Sequence, residues 1–204
     1  MRLPMLSAAF AVAVLAILSL DRPTTGGEGA AQDPAAMQEG MKRWMDSCTP
    51  GENHKWLAPM IGKWKTKFTM WMAPDQPMTS EGTAEFSWVF EDKWVESKWS
   101  GVMMGMPYAG RSWMGYDNFK KKFVSTRIDN MATAIYPCEG FLTQDKKTLI
   151  LYGPLDEPMT GEHDKTVKYV WRVLGPDKLL LEVHDLAIGE ENTRVVEVAY
   201  ERVK

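Results

Sequence analysis

From Gly62 onward the chain alternates large apolar and polar residues with a period of two, and this limits the fold more than any other feature of the sequence. In GKWKTKFTMWM (62–72), Trp64, Thr66, Phe68 and Met70 stand against Lys63, Lys65 and Lys67, which makes one face for a core and one for water. TAEFSWVFE (83–91) repeats the pattern with Ala84, Phe86, Trp88 and Phe90 on one side. KWVESKWSGVM (93–103), RSWMGYD (111–117), KFVSTRIDNM (122–131) and EGFLTQDKKTLILYG (139–153) follow, then TVKYVWRVLG (166–175), KLLLEVHDLA (178–187) and TRVVEVAYERV (193–203). Turn signals rich in Gly, Pro, Asp and Asn separate them, among them APDQP, GMPYAG, GPDK and IGEEN. Strands recurring at roughly 10 to 15 residues with short connections predict an all-β fold. An up-and-down antiparallel barrel of about eight to ten strands is expected, because closure removes exposed sheet edges.

The segment before Gly62 reads differently. Arg2 precedes an uncharged apolar run, Leu3 to Leu20, and small residues up to Ala31 suit cleavage before Gln32. Residues 1–31 are therefore expected to be a secretory signal peptide and the domain to be exported, periplasmic or secreted. The apolar run is also long enough to serve as an uncleaved N-terminal anchor, the one membrane association the sequence offers. Residues 32–55 read as a linker and one short helix, with Met37, Met41, Trp44 and Met45 at helical spacing and Pro50-Gly51 closing it. The barrel domain is assigned to 56–204. Export gives meaning to the two cysteines, Cys48 and Cys138, which are expected to form a disulfide. Closing a loop of about 90 residues would remove on the order of 4 kcal/mol of unfolded-state entropy.

Composition sets limits on function. A net charge of −3 gives no electrostatic basis for binding nucleic acid. Nine Trp and 15 Met call for a bulky core or an aromatic-lined cavity. No nucleophile elbow, phosphate loop, dinucleotide fingerprint or zinc-protease motif occurs. No metal or cofactor is expected, since neither cysteine has a ligand neighbour at metal spacing. The lysines of FKKKF (119–123) follow Asp117-Asn118 and read as the solvated tip of a hairpin. Beyond that tip Arg127 and Asp129 share a face with Phe123 and Ser125, and that face points either outward to water or inward to a site. Glu182 and His184 share a strand face too, as an acid–base pair or as a wet face opposite Leu181 and Val183; the wet face is expected. His54 and His163 lie in loop contexts where solvated imidazoles are the default.

IGKW, GYDNFKKKFVSTRIDNMAT, LILYG, MTGEHDK and VVEVAYERVK together resemble the bacterial family catalogued as domain of unknown function 1579, over about residues 37 to 204. The resemblance implies a β-barrel-like domain and, at position 127, Trp where this chain has Arg. Gly62-Lys63-Trp64 is also similar to the Gly-x-Trp signature of lipocalins. The expected function is binding of a small apolar or amphipathic molecule inside a lipocalin-like barrel, with Trp64, Trp88, Arg111, Trp113, Tyr116, Arg127, Asp129, Glu182 and His184 as candidate ligand contacts. Two rivals are an isomerase- or lyase-type enzyme using Asp129 or Glu182 with His184, and a filled barrel serving structure or interaction.

Overall fold

The computed structural model describes residues 33–73, 76–90, 92–185 and 194–204. The expected signal peptide, and the IGEEN turn, lie outside the described residues. Helix α1 spans Pro34–Cys48 and a single-turn α2 spans Glu52–Lys55, followed by a 3-10 turn over Ala58–Met60. Ten strands follow: β1 Gly62–Trp71, β2 Pro77–Val89, β3 Trp94–Met103, β4 Met106–Asp117, β5 Lys122–Asp129, β6 Tyr136–Leu142, β7 Thr148–Glu157, β8 Glu162–Gly175, β9 Lys178–Asp185 and β10 Arg194–Arg202. Each pairs antiparallel with its sequence neighbour, and β10 returns to β1, so the sheet closes into a barrel. Closure follows from the two-residue period: one polar face and one apolar face on every strand bury best when a single sheet wraps its apolar side inward.

The registers Trp64↔Ala84, Thr66↔Gly82 and Phe68↔Ser80 carry one inward row from β1 to β2, as the alternation requires. One end of the barrel is a packed floor. Leu57, Met60, Trp64, Phe123, Leu149 and Leu179 there are at most 2% exposed. Trp64 donates its indole N–H to the Met60 carbonyl at 2.9 Å. Its ring meets Tyr200 edge-on, and Phe86 and Trp171 extend the aromatic stack. Arg202 clamps the plug segment from below, donating from Nη1 to the Ile61 carbonyl and from Nη2 to that of Pro59, while its guanidinium lies 4.1 Å over the Trp64 ring. Gly62 takes φ +134°, open to glycine alone, and the guanidinium fills the space a side chain would need.

His54, expected in water, is instead 5% exposed within this plug. Its Nδ1 accepts the Gly51 N–H at 3.0 Å, and its ring abuts Tyr116. Burial lowers its pKa below the ordinary histidine value, so the imidazole is neutral.

The β4–β5 connection at Asp117–Lys121 is the solvated hairpin tip. Asp117 Oδ1 accepts the amides of Phe119 and Lys120, and Lys120 and Lys121 are exposed. Asn118 ties the tip to the C-terminal end of α1, donating to the carbonyls of Asp46, Ser47 and Thr49. The apolar stripe of α1 is not buried: Met37, Met41, Trp44 and Met45 are 42–52% exposed.

The expected disulfide is not formed. Cys48 is exposed at the end of α1, beside the segment Asn118 holds at the floor, whereas Cys138 points from β6 into the barrel. The wall lies between the two thiols. Burial pushes the Cys138 thiol up to about 11, against a smaller opposing effect of a hydrogen bond with Ser125.

Candidate functional site: a cavity above the floor

Over the aromatic floor the barrel is not filled. A cavity of about 90 Å³, widening to about 630 Å³ when the open space at its mouth is included, is walled largely by Phe68, Leu181, Val183, Val196, Val198 and Tyr200. A smaller one of about 40 Å³ lies against Cys138, Leu151 and Tyr169. Trp99, Arg127 and Leu181 line both. The mouth is edged by thioethers. Met70 pairs with Met78 across β1 and β2, and Met103 with Met106 across β3 and β4, where Met78 and Met106 are 45% and 47% exposed. Met side chains give such a rim an apolar, adaptable surface.

The polar groups inside are few and specific. Arg127 is on the inward face of β5, with Phe123 and Ser125, which decides between its two sequence readings. Its guanidinium lies 4.6 Å over the Tyr136 ring, and its Nε is 3.6 Å from Asp129 Oδ2, an ion pair too long for a hydrogen bond. The Asp129 side chain is 7% exposed and turns its other oxygen to the Met131 amide. Registers explain the crowding. Trp99, Gly110 and Asp129 are successive partners across β3, β4 and β5, and Ser112 partners Arg127 in the adjacent row. A Cβ on Gly110 would press on the Tyr108 hydroxyl and the Asp129 side chain, so the missing side chain leaves the room these groups occupy. Beneath, Ser97 and Ser112 share a buried 2.6 Å hydrogen bond.

Two donors in this arrangement make no hydrogen bond of normal geometry, although the Tyr200 hydroxyl lies beside Trp99 Nε1. Nε of Arg127 and Nε1 of Trp99 are the only side-chain nitrogens or oxygens among the described residues that are fully buried with no hydrogen-bond partner. Each unsatisfied buried donor costs about 1–3 kcal/mol. Burial raises the phenol pKa values of Tyr108, Tyr136 and Tyr169, with Arg127 opposing the rise at each, so all three are neutral at physiological pH.

The nine residues singled out from sequence fall into three places. Arg127 lines the cavity, and Asp129 is its partner. Trp64, Trp88 and Tyr116 also face inward, but at the floor: Trp64 is buried in the plug, Trp88 packs on the core, and Tyr116 is wedged between His54 and Phe123. Arg111, Trp113, Glu182 and His184 are on the outer surface, displaced from the interior by strand parity, since Ser112, Leu181 and Val183 take the inward positions. Arg111 pairs with Glu96 there, and Glu182 with Arg172 and Arg194. Of the two pairings in the rival enzyme reading, Asp129 with His184 is divided by the sheet, whereas Glu182 and His184 share the outer face, where Glu182 is held by Arg172 and Arg194. Trp99 was counted only among the nine tryptophans, and Tyr108 was placed in the GMPYAG turn, though it lies in β4. Parity with Val95 and Ser97 for Trp99, and with Ser112 for Tyr108, is the signal that marks them as inward.

The comparisons agree with this architecture. The family model described as "Protein of unknown function (DUF1579)" matches residues 49–202, and the chain belongs to that family. No curated protein matches it. Among solved structures it is similar to Rv2717c from M. tuberculosis at 14% identity and TM-score 0.52, covering 76% of this chain and 100% of that one. It is likewise similar to the S-type phycobiliprotein lyase CPES from Guillardia theta at 11% identity and TM-score 0.51, covering 76% and 99%. At these identities the likeness is one of fold, a calycin-like barrel.

Proposed function

We propose that this DUF1579 member is an exported binding protein that holds one small amphipathic molecule in the upper barrel, its apolar body against the valine and phenylalanine walls and its polar end at Arg127 and Trp99. One observation carries the reading: the only two fully buried, unpartnered side-chain donors among the described residues both line the same largely apolar cavity. A few polar groups fixed in a mostly apolar concavity are the usual composition of a small-molecule site. Export is part of the proposal and rests on the apolar run after Arg2 and the small residues before Gln32. The phycobiliprotein lyase is a barrel of the same fold class, which supports the architecture of such a pocket and says nothing of its occupant.

The test uses prodan, a neutral naphthyl ketone whose emission shifts to the blue on leaving water. Wild-type protein is expected to bind one prodan per chain with a blue shift. Val198→Trp, which fills the cavity from β10, is expected to abolish the shift while retaining the cooperative melt of a folded barrel. Equal blue shifts in the two proteins would place the probe elsewhere and overturn the reading.

A further inference from the structure

The charge count of the cavity points to the chemical class of its ligand, an inference that rests on the binding reading above. Arg127 is the one cation lining either cavity, and Asp129 lies 3.6 Å from its Nε with a side chain 7% exposed. The one carboxylate lining the main cavity is Glu81, which sits on the outward-facing parity of β2 and is exposed; Asp129 lines neither cavity but borders an adjoining recess with Lys98 and Arg111, both of which pair with Glu96 on the outer surface. The Arg127–Asp129 pair therefore sums to zero at the edge of the apolar cavity that Arg127 lines. A carboxylate or phosphate ligand would bring an uncompensated charge next to Asp129, and the cost of desolvating it would not be recovered. Arg127 Nε still lacks a hydrogen-bond acceptor, and Trp99 Nε1 has only the poorly placed Tyr200 hydroxyl beside it. Both demands are met by a neutral molecule with an accepting oxygen.

We infer that the barrel selects an uncharged, carbonyl- or ether-bearing apolar ligand, and that Asp129 is the residue that excludes acids. It does so by neutralising Arg127 while leaving the Nε–H unused, because 3.6 Å is beyond hydrogen-bond reach. Loss of a hydrogen-bonding partner at such a site discriminates strongly, since the unpaired groups on the protein remain buried.

The experiment compares two probes of one ring system, 2-acetonaphthone and 2-naphthoate, by calorimetric titration at pH 7.5. Wild-type protein is expected to bind the ketone at least about tenfold more tightly than the carboxylate. Asp129→Asn keeps the oxygen that accepts the Met131 amide and removes the charge; it is expected to shift the ratio toward naphthoate by about tenfold or more. Arg127→Gln is expected to weaken the ketone and to leave naphthoate no better bound. Naphthoate binding as tightly as the ketone in the wild type, or a ratio unmoved by Asp129→Asn, overturns the inference. The wild-type ratio decides the matter alone if Asp129→Asn does not fold. Prodan binding with a preference for naphthoate defeats the ligand class and spares the binding reading, whereas failure of prodan and both naphthalenes to bind defeats the two together.

Discussion

Trp64→Ala is expected to lower the unfolding free energy by about 3–5 kcal/mol, the range for removing a buried aromatic without refilling its space. Trp64 is fully buried at the junction of plug and barrel, so the vacated volume is bordered by Tyr200, Met60 and the Arg202 guanidinium and has little freedom to collapse. The substitution also orphans the Met60 carbonyl and uncovers the apolar face under Arg202, loosening the clamp on Pro59 and Ile61. Against a total stability of about 5–15 kcal/mol for a domain, a loss of this size leaves a marginal fold. Trp64→Phe keeps most of the buried ring and loses the hydrogen bond, so its cost should be nearer 1–2 kcal/mol. Denaturant unfolding of the two variants measures both. An Ala variant as stable as the Phe variant would show that the floor is not packed as described.

The second large effect is expected on the outer surface. Glu182, with a side chain 12% exposed, accepts from Nη1 of Arg172 and from Nη1 of Arg194, and Arg194 in turn reaches Glu197 at 2.7 Å and covers the Trp71 ring at 4.7 Å. Replacing Glu182 with Ala leaves two arginines facing one another over a vacated carboxylate. The loss should be about 2 kcal/mol, below the figure for fully buried pairs because both arginines are about a third exposed. The pH dependence follows in sign. Burial pushes the Glu182 carboxyl up, but the hydrogen bond and charge of Arg172, joined by Arg194, outweigh it and hold the folded pKa below the ordinary value. A carboxyl depressed in the folded state contributes stability above its unfolded pKa of about 4.3 and loses it as pH falls through the folded one. The stability gap between wild type and Glu182→Gln should thus be full at neutral pH and shrink below about pH 4.3. A gap that widened on acidification would contradict the ion network.

The same comparison shows what a linear sequence carries. Alternation specified the barrel and much of its inward set: Trp64, Thr66, Phe68, Ala84 and Phe86 were legible because a strand has only two faces. The Glu182–His184 face was legible as wet for the same reason, even though both residues were also kept as ligand candidates. Depth along the barrel axis was not legible. Trp64, Trp88 and Tyr116 have the same inward parity as Arg127, yet the plug of Ala58–Met60 fills the end they occupy, and strand stagger alone sets which rows stay open. His54 was misjudged because its neighbours in sequence are polar, while its neighbours in space are Tyr116 and the floor. The cysteine pairing failed on the same ground: counting two thiols in a sequence says nothing of which side of the sheet each one faces. The unspent donors on Arg127 and Trp99 depend on distances among four strands, which no spacing in the chain encodes.

The central claim is that these two donors await an acceptor from outside the chain. It is tested most directly by a high-resolution crystal structure of the protein purified from its own cells under mild conditions. The account predicts density for a non-protein molecule in the upper barrel with an oxygen about 3 Å from both Arg127 Nε and Trp99 Nε1. Density for water alone at both nitrogens, or a side-chain arrangement in which Asp129, Tyr108 or Tyr200 satisfies them and closes the cavity, would contradict it.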